Sequence, residues 1–234
     1  MRWLLIIPFL IAPVWCAESN SLLVLAPHVE IRGIDVSHHQ KQIEWDTVKA
    51  HENIGFAFIK ATEGSTFRDS MFCYNWGELQ RLGIKRGAYH FFKGYGCGYE
   101  QACHFLSSVD MVNGDLPPVL DVETLDGTAP EDIAVELHIW LRTVEAQLGI
   151  KPIIYSNQNF FERFLADKGF EEYPLWIARY SDEKPSLEDG HFWSFWQYSN
   201  EGCVEGISKM VDLNIFPGTT EMLEELSYRQ YMRP

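Results

Sequence analysis

Eight short apolar runs, most of them ending on a polar or charged residue, constrain the fold of this chain more than any other feature. They are IRGIDVS (31–37), IGFAFIKATEG (54–64), RGAYHFF (86–92), PPVLDVE (117–123), KPIIYSN (151–157), YPLWIARYS (173–181), FWSFWQYS (192–199) and KMVDLNIF (209–216). Their brevity and their β-branched and aromatic content predict strands rather than buried helices. Helical patterns lie between the early runs. The clearest is TAPEDIAVELHIWLRTVEAQLG (128–149), where Ile133, Leu137, Trp140, Leu141, Val144 and Leu148 repeat on one face. Thr128 and Glu131 read as a capping box, Pro130 fits the first turn, and Gly149 is placed to end the helix. A second helix fits residues 70–83, with Phe72, Trp76, Leu79 and Leu82 on its apolar side; residues 44–52, 99–110 and 157–169 are weaker helical patterns.

Strand–helix alternation implies parallel strands joined by right-handed crossovers, and eight such strands can close into a barrel. The last three runs start only about sixteen to twenty residues apart, too close for full helices between them. The expected fold class is therefore α/β, an irregular TIM-like barrel of eight strands and about five helices. It would form a single domain over residues 29–226, with a short tail at 227–234. A doubly wound open sheet is the alternative, but no Gly-rich nucleotide fingerprint follows the first strand.

The opening segment MRWLLIIPFLIAPVWC (1–16) differs from the rest. One early arginine precedes an apolar stretch broken by Pro8 and Pro13, as in a secretory signal. Val14 and Cys16 would stand at −3 and −1 of a cut before Ala17; an uncleaved anchor is the rival reading. Export then makes two disulfides among Cys73, Cys97, Cys103 and Cys203 an expectation, with three connectivities open. Cys103-His104 lacks the spacing of a zinc site, so no metal is expected. The net charge of −14 disfavours a sequence-independent nucleic-acid binder and adhesion to anionic membranes.

Acids cluster at the run ends. Asp121 and Glu123 share one face of a strand with about 6–7 Å of rise between them, while Val122 turns towards packing. Like charges on one face raise the pH at which one acid gives up its proton. A proton donor beside an ionised partner can cleave an acetal bond. Asp35, Glu63 and Asp212 end other runs, and closure of the barrel would put Asp35 beside Asp212 with the 121/123 pair across the mouth. Buried acids on apolar strands need partners or a function. Tyr89, Tyr155, Trp176, Trp196 and Tyr198 line the same ends, where rings can pack on sugar faces; Gln197, Asn157 and Asn214 could hydrogen-bond hydroxyl and amide groups. His38, His39 and His90 read as structural, since no GxSxG elbow accompanies them. The GYGCG run (94–98) lacks the ending of a phosphate loop.

The blocks GIDVSHHQ, FAFIKATEGSTFRDSMFCYNW, GAYHFF, PPVLDVE, KPIIYSN, LWIARY, FWQYS and VDLNIF, in this order from about Ile31 to Phe216, resemble the glycoside hydrolase family 25 lysozymes, the Chalaropsis-type muramidases. The resemblance implies an irregular barrel that cleaves the β-1,4 bond between N-acetylmuramic acid and N-acetylglucosamine without metal or other cofactor. It implies Glu123 as general acid, Asp121 as its paired carboxylate, and Asp35 and Asp212 as first- and last-strand acids. Tyr89, Glu63, Tyr155, Trp176, Gln197 and Tyr198 are the expected substrate-binding residues. Asp121 could act as a direct nucleophile or orient the substrate's own N-acetyl group; substrate assistance is favoured because that group is present on the substrate. The expected partner is a peptidoglycan glycan strand, met by a secreted or periplasmic monomer with no nucleic acid and no membrane after signal cleavage. A non-catalytic glycan-binding module and a chitin-type acetamido-sugar hydrolase are the alternatives.

Overall fold

In the computed structural model, which describes residues 30–51 and 53–229, nine strands form one sheet that closes on itself. The strands are β1 (Ile31–Val36), β2 (Phe56–Glu63), β3 (Phe67–Arg68), β4 (Lys85–Phe91), β5 (Val119–Asp121), β6 (Ile153–Asn157), β7 (Leu175–Ala178), β8 (Trp193–Gly202) and β9 (Val211–Phe216). Two-residue β3 only folds back on the end of β2, so eight strands make the wall, with β1 parallel to β2 on one side and paired with β9 on the other. The helices are α1 (Trp45–His51), α2 (Phe72–Leu82), α3 (Gly98–Leu106), α4 (Pro130–Leu148), α5 (Gln158–Phe160), which continues as a π-helical turn over Phe161–Leu165, and α6 (Thr220–Leu226). The irregular single-domain barrel expected from the run spacing is what forms.

Three details differ from the sequence reading. Strand β9 runs antiparallel to both β8 and β1, because a short connection over residues 203–210 folds it back as a hairpin instead of carrying it across the barrel. The five expected helices are joined by a sixth, α6, whose cap Thr219 accepts a hydrogen bond from the Met222 amide. On α4 the cap residue is Ala129, and the expected capping box is absent. The Thr128 hydroxyl donates to the Gly94 carbonyl instead, and Glu131 pairs with Lys168. Pro130 in the first turn and Gly149 at φ 74° hold as expected.

The strands alternate between two cores. Outward residues such as Ile34, Val36, Ile59, Leu120, Val122 and Ile177 pack under the helices, against the buried face of α4 formed by Ile133, Leu137, Trp140, Leu141 and Val144. Inward residues fill the barrel with rings: Phe56, Phe58, Trp176, Phe195 and Phe216, sealed at the far end by Leu223 of α6. Phe58 stacks on Trp176 at 4.5 Å and meets Phe195 edge-on at 5.1 Å. Two glycines make this aromatic plug possible. Gly33 lies opposite Phe56 and Gly87 opposite Phe58, and a Cβ on either would sit 2.4 Å or 2.5 Å from the ring.

The four cysteines among the described residues are unpaired and exposed, which corrects the expectation of two disulfides. Cys97 caps α3 and Cys103 lies six residues along it, a helical rise of about 9 Å that no disulfide spans. Cys73 faces solvent from α2 and Cys203 from beyond β8. The proposed signal segment (1–16) and the last residues of the tail lie outside the described residues.

Candidate active site

The inward alternation of the strands puts one or two residues of each at the open end of the aromatic plug, and these residues line a mouth cavity of about 310 Å3. From β1 comes Asp35, from β2 Lys60, from β4 Tyr89 and Phe91, from β5 Asp121 with Glu123 just beyond, from β6 Tyr155, from β7 Trp176, from β8 Gln197 and from β9 Asp212. All four expected acids meet here. Asp212 arrives by the opposite route from the one expected: on an antiparallel strand it is the second residue, not one near the end, and that places it at the same mouth, opposite Asp35.

A fixed polar network holds Asp35. Its Oδ2 accepts from Gln197 Nε2 at 2.9 Å and from Asn214 Nδ2 at 2.8 Å. The orientation of both amides follows from their other ends. Gln197 Oε1 accepts from the hydroxyls of Tyr155 (2.9 Å) and Tyr180 (3.0 Å), and Asn214 Oδ1 from Trp176 Nε1 (2.8 Å). Donors on the oxygen side leave only the NH2 side to face the carboxylate.

Burial, then the charge of Asp212, pushes Asp35 well above the usual carboxylate range, although the two amides oppose this. Burial, then Glu123, pushes Asp121 up as well. Asp121 Oδ1 is buried and has no hydrogen-bond partner among the described residues, a polar atom that a bound donor could satisfy. Glu123 is raised by burial, with hydrogen bonding from Asp121 and the charge of Lys60 opposing. Asp212 is pushed up to about 6 by burial and by Glu123, with Asp35 as its hydrogen-bonding neighbour. The acids therefore form two pairs, Asp35/Asp212 and Asp121/Glu123. Such a site can hold protons near neutral pH and deliver one to an oxygen bound between the pairs.

Of the expected substrate contacts, Tyr89, Tyr155, Trp176 and Gln197 line the mouth, whereas Glu63 and Tyr198 do not. Tyr198 follows Gln197 on β8, so it turns outward and packs on the Trp196 ring at 5.7 Å. The outward Trp196 donates to the Arg179 carbonyl. Glu63 is engaged by Lys60 and Lys93. Asn157 is spent capping α5, where it accepts from the Phe160 amide, and Asn214 holds Asp35 as described. His90 is structural: it is fully buried between Thr62 and Gln101 and stacked on Trp140. His38 binds Asp69 at 2.6 Å, while His39 lines the mouth. Sequence reasoning missed Lys60, Tyr180, Ser37 and Gln40 as lining residues. Alternation from Phe56 and Phe58 could have found Lys60; Tyr180 lies past its strand, where no periodicity reaches.

A family model described as Glycosyl hydrolases family 25 matches residues 34–207. Among curated relatives, "Uncharacterized protein YegX" of Escherichia coli (strain K12) is 44% identical over 198 residues, covering 83% of this chain and 72% of the relative. "Lysozyme M1" of Streptomyces globisporus is 33% identical over 210 residues, covering 84% of this chain and 71% of its own. Among solved structures, a family 25 glycosyl hydrolase from Bacillus anthracis superposes with a TM-score of 0.78 at 37% identity, over 83% of this chain and 92% of that one. A bacterial lysozyme from Streptomyces coelicolor gives 0.79 at 32% identity, over 84% and 96%.

Proposed function

The chain belongs to glycosyl hydrolases family 25, and on that footing we propose that it is a peptidoglycan-cleaving muramidase in which Glu123 is the general acid and Asp121 its partner. It cuts the β-1,4 bond between N-acetylmuramic acid and N-acetylglucosamine. The observation that carries this reading is the Asp121–Glu123 pair on one face at the end of β5, inside a mouth that also holds Asp35 and Asp212.

Glu123, whose proton affinity burial raises, gives its proton to the glycosidic oxygen as the bond from the anomeric carbon breaks. The carbonyl oxygen of the substrate's own acetamido group forms the new bond to that carbon. Asp121 accepts a hydrogen bond from the acetamido N–H, and its raised proton affinity makes it a good acceptor. Glu123, now ionised, then takes a proton from water as the water opens the cyclic intermediate with overall retention. Tyr89 and Asp212 position the acetamido group or the ring, and Tyr155, Trp176 and Gln197 line the sugar groove. The protein works as a monomer, secreted or periplasmic, after removal of residues 1–16.

The test is a digest of purified peptidoglycan by wild type beside Glu123→Gln, with reducing ends identified by mass. Muramic-acid reducing ends from wild type, and a loss of at least about 100-fold in the variant, are expected. No cleavage by folded wild type would shift the reading to a glycan-binding module. Release from chitin in place of peptidoglycan would make it an acetamido-sugar hydrolase of another specificity.

A further inference from the structure

We infer that Lys60 is a positioning residue for the Asp121–Glu123 pair, a buried cation that decides where protons rest in the mouth and that the Glu63 carboxylate, shared with Lys93, holds in place and partly neutralises. This deepens the proposed function and rests on it.

Strand alternation alone would put a third apolar residue after Phe56 and Phe58, yet the position holds a lysine that is only 8% exposed. A buried ammonium is costly unless paired. Lys60 Nζ lies 2.6 Å from Glu63 Oε2, and 4.8 Å and 5.7 Å from the ring centroids of Phe91 and Phe67. The register of β2 against β4 breaks between Lys60 and Thr62, and this bulge lets Glu63 reach back over three residues. Lys93 Nζ closes the chain at 3.0 Å from Glu63 Oε1, over the same Phe91 ring at 4.6 Å. Two cations thus share one carboxylate on an aromatic wall, leaving a net positive charge beside the acids.

The other sides of the pair offer nothing comparable. Asp35 of β1, Tyr89 of β4, Tyr155 of β6, Tyr180 past β7 and Asp212 of β9 are acids and phenols, and His39 follows β1. Among the residues that line the mouth, Lys60 is the one lysine or arginine. It favours the ionised forms of both Asp121 and Glu123, against the burial that raises them.

The arrangement makes opposite predictions for two neighbouring residues. Lys60→Met removes a cation, so both limbs of the kcat/KM–pH profile move up by about one pH unit. Glu63→Gln removes the carboxylate that neutralises Lys60, so both limbs move down. Lys60→Arg keeps the charge and stays close to wild type. Each variant of the whole chain is assayed on peptidoglycan, and its Asp and Glu side-chain carboxyls are titrated by carbon-13 NMR. Opposite displacement of the limbs and of the Asp121 and Glu123 titrations by Lys60→Met and Glu63→Gln supports the inference. Parallel losses of activity with unmoved titrations, or displacement in one direction by both, overturn it and leave Lys60 a structural ion-pair member. If wild type cleaves no peptidoglycan, the proposed function fails by itself, and the carboxyl titrations still decide what Lys60 does.

Discussion

Asp35 and Asp212 stand directly opposite each other across the antiparallel seam between β1 and β9, two carboxyls in register where a sheet ordinarily avoids like charges. The arrangement costs stability once both ionise, and the pH window follows from the raised proton affinities. Asp212 is pushed from 3.8 up to about 6 in the fold. A carboxyl that binds its proton more tightly in the folded state contributes stability below pH 3.8 and loses that contribution as pH rises through about 6. Asp212→Asn should therefore stabilise the protein at pH 7 by about 1–2 kcal/mol, allowing for its partial exposure, and by almost nothing at pH 3. Urea unfolding at both pH values checks this; an equal effect at each would remove proton linkage as the cause. The same variant should cleave peptidoglycan more slowly, the usual exchange of activity for stability at a strained site.

The role of Asp121 can be separated from that of Glu123 by what becomes attached to it. If the acetamido group is the nucleophile, no sugar is ever bonded to the protein. Mass spectrometry of acid-quenched turnover mixtures should then find no glycosyl ester on the peptide bearing Asp121. Asp121→Asn should lower kcat by about 100-fold or more, since it loses the carboxylate that accepts the acetamido N–H. A trapped ester at Asp121 would replace substrate assistance with direct nucleophilic attack.

The network behind Asp35 makes a stability prediction independent of chemistry. Asn214→Ala leaves buried Trp176 Nε1 without its acceptor and removes one of two donors from Asp35. The expected cost is about 1–3 kcal/mol in unfolding free energy. Because the amide also favours the Asp35 carboxylate, the loss should be smaller when Asp35 is already Asn. Equal costs in both backgrounds would show that Asn214 serves Trp176 alone.

The period-2 pattern made most of the wall legible: the eight runs locate the strands, and Val122 against Asp121 and Glu123 sorts inside from outside. Direction was less legible, because an alternating pattern reads the same from either end. The short connection over residues 203–210 was the available sign that β9 must return as a hairpin. Alternation also shows that Gln197 and Tyr198, adjacent on β8, cannot both face the mouth. Glu63 was misplaced for a different reason. The bulge after Lys60 sets Glu63 opposite Phe91, where Lys60 and Lys93 take up its carboxylate, and nothing in KATEG announces that pairing. The helix α6 carried its signal in Thr219, but a lone seven-residue segment after the last strand has no apolar stripe long enough to stand out.

His90 gives stability the opposite pH dependence from the acid pairs. It is fully buried, accepting from Thr62 Oγ1 at 2.7 Å and donating through Nε2 to Gln101 Oε1 at 3.1 Å, which fixes the neutral ring. Burial lowers its proton affinity from 6.5 to about 3. A histidine depressed in this way contributes stability above pH 6.5 and loses it as pH falls towards 3. The full span is worth on the order of 5 kcal/mol as an upper bound. His90→Phe preserves a ring against Trp140 but strands the Thr62 hydroxyl, so it should be less stable than wild type at pH 7 by about 1–3 kcal/mol. That gap should close as pH is lowered from 6.5 towards 3, because only the wild type then has a ring to protonate. Thermal unfolding of both proteins across this range reads the gap directly, and a gap that stays constant would mean that His90 acts through packing alone.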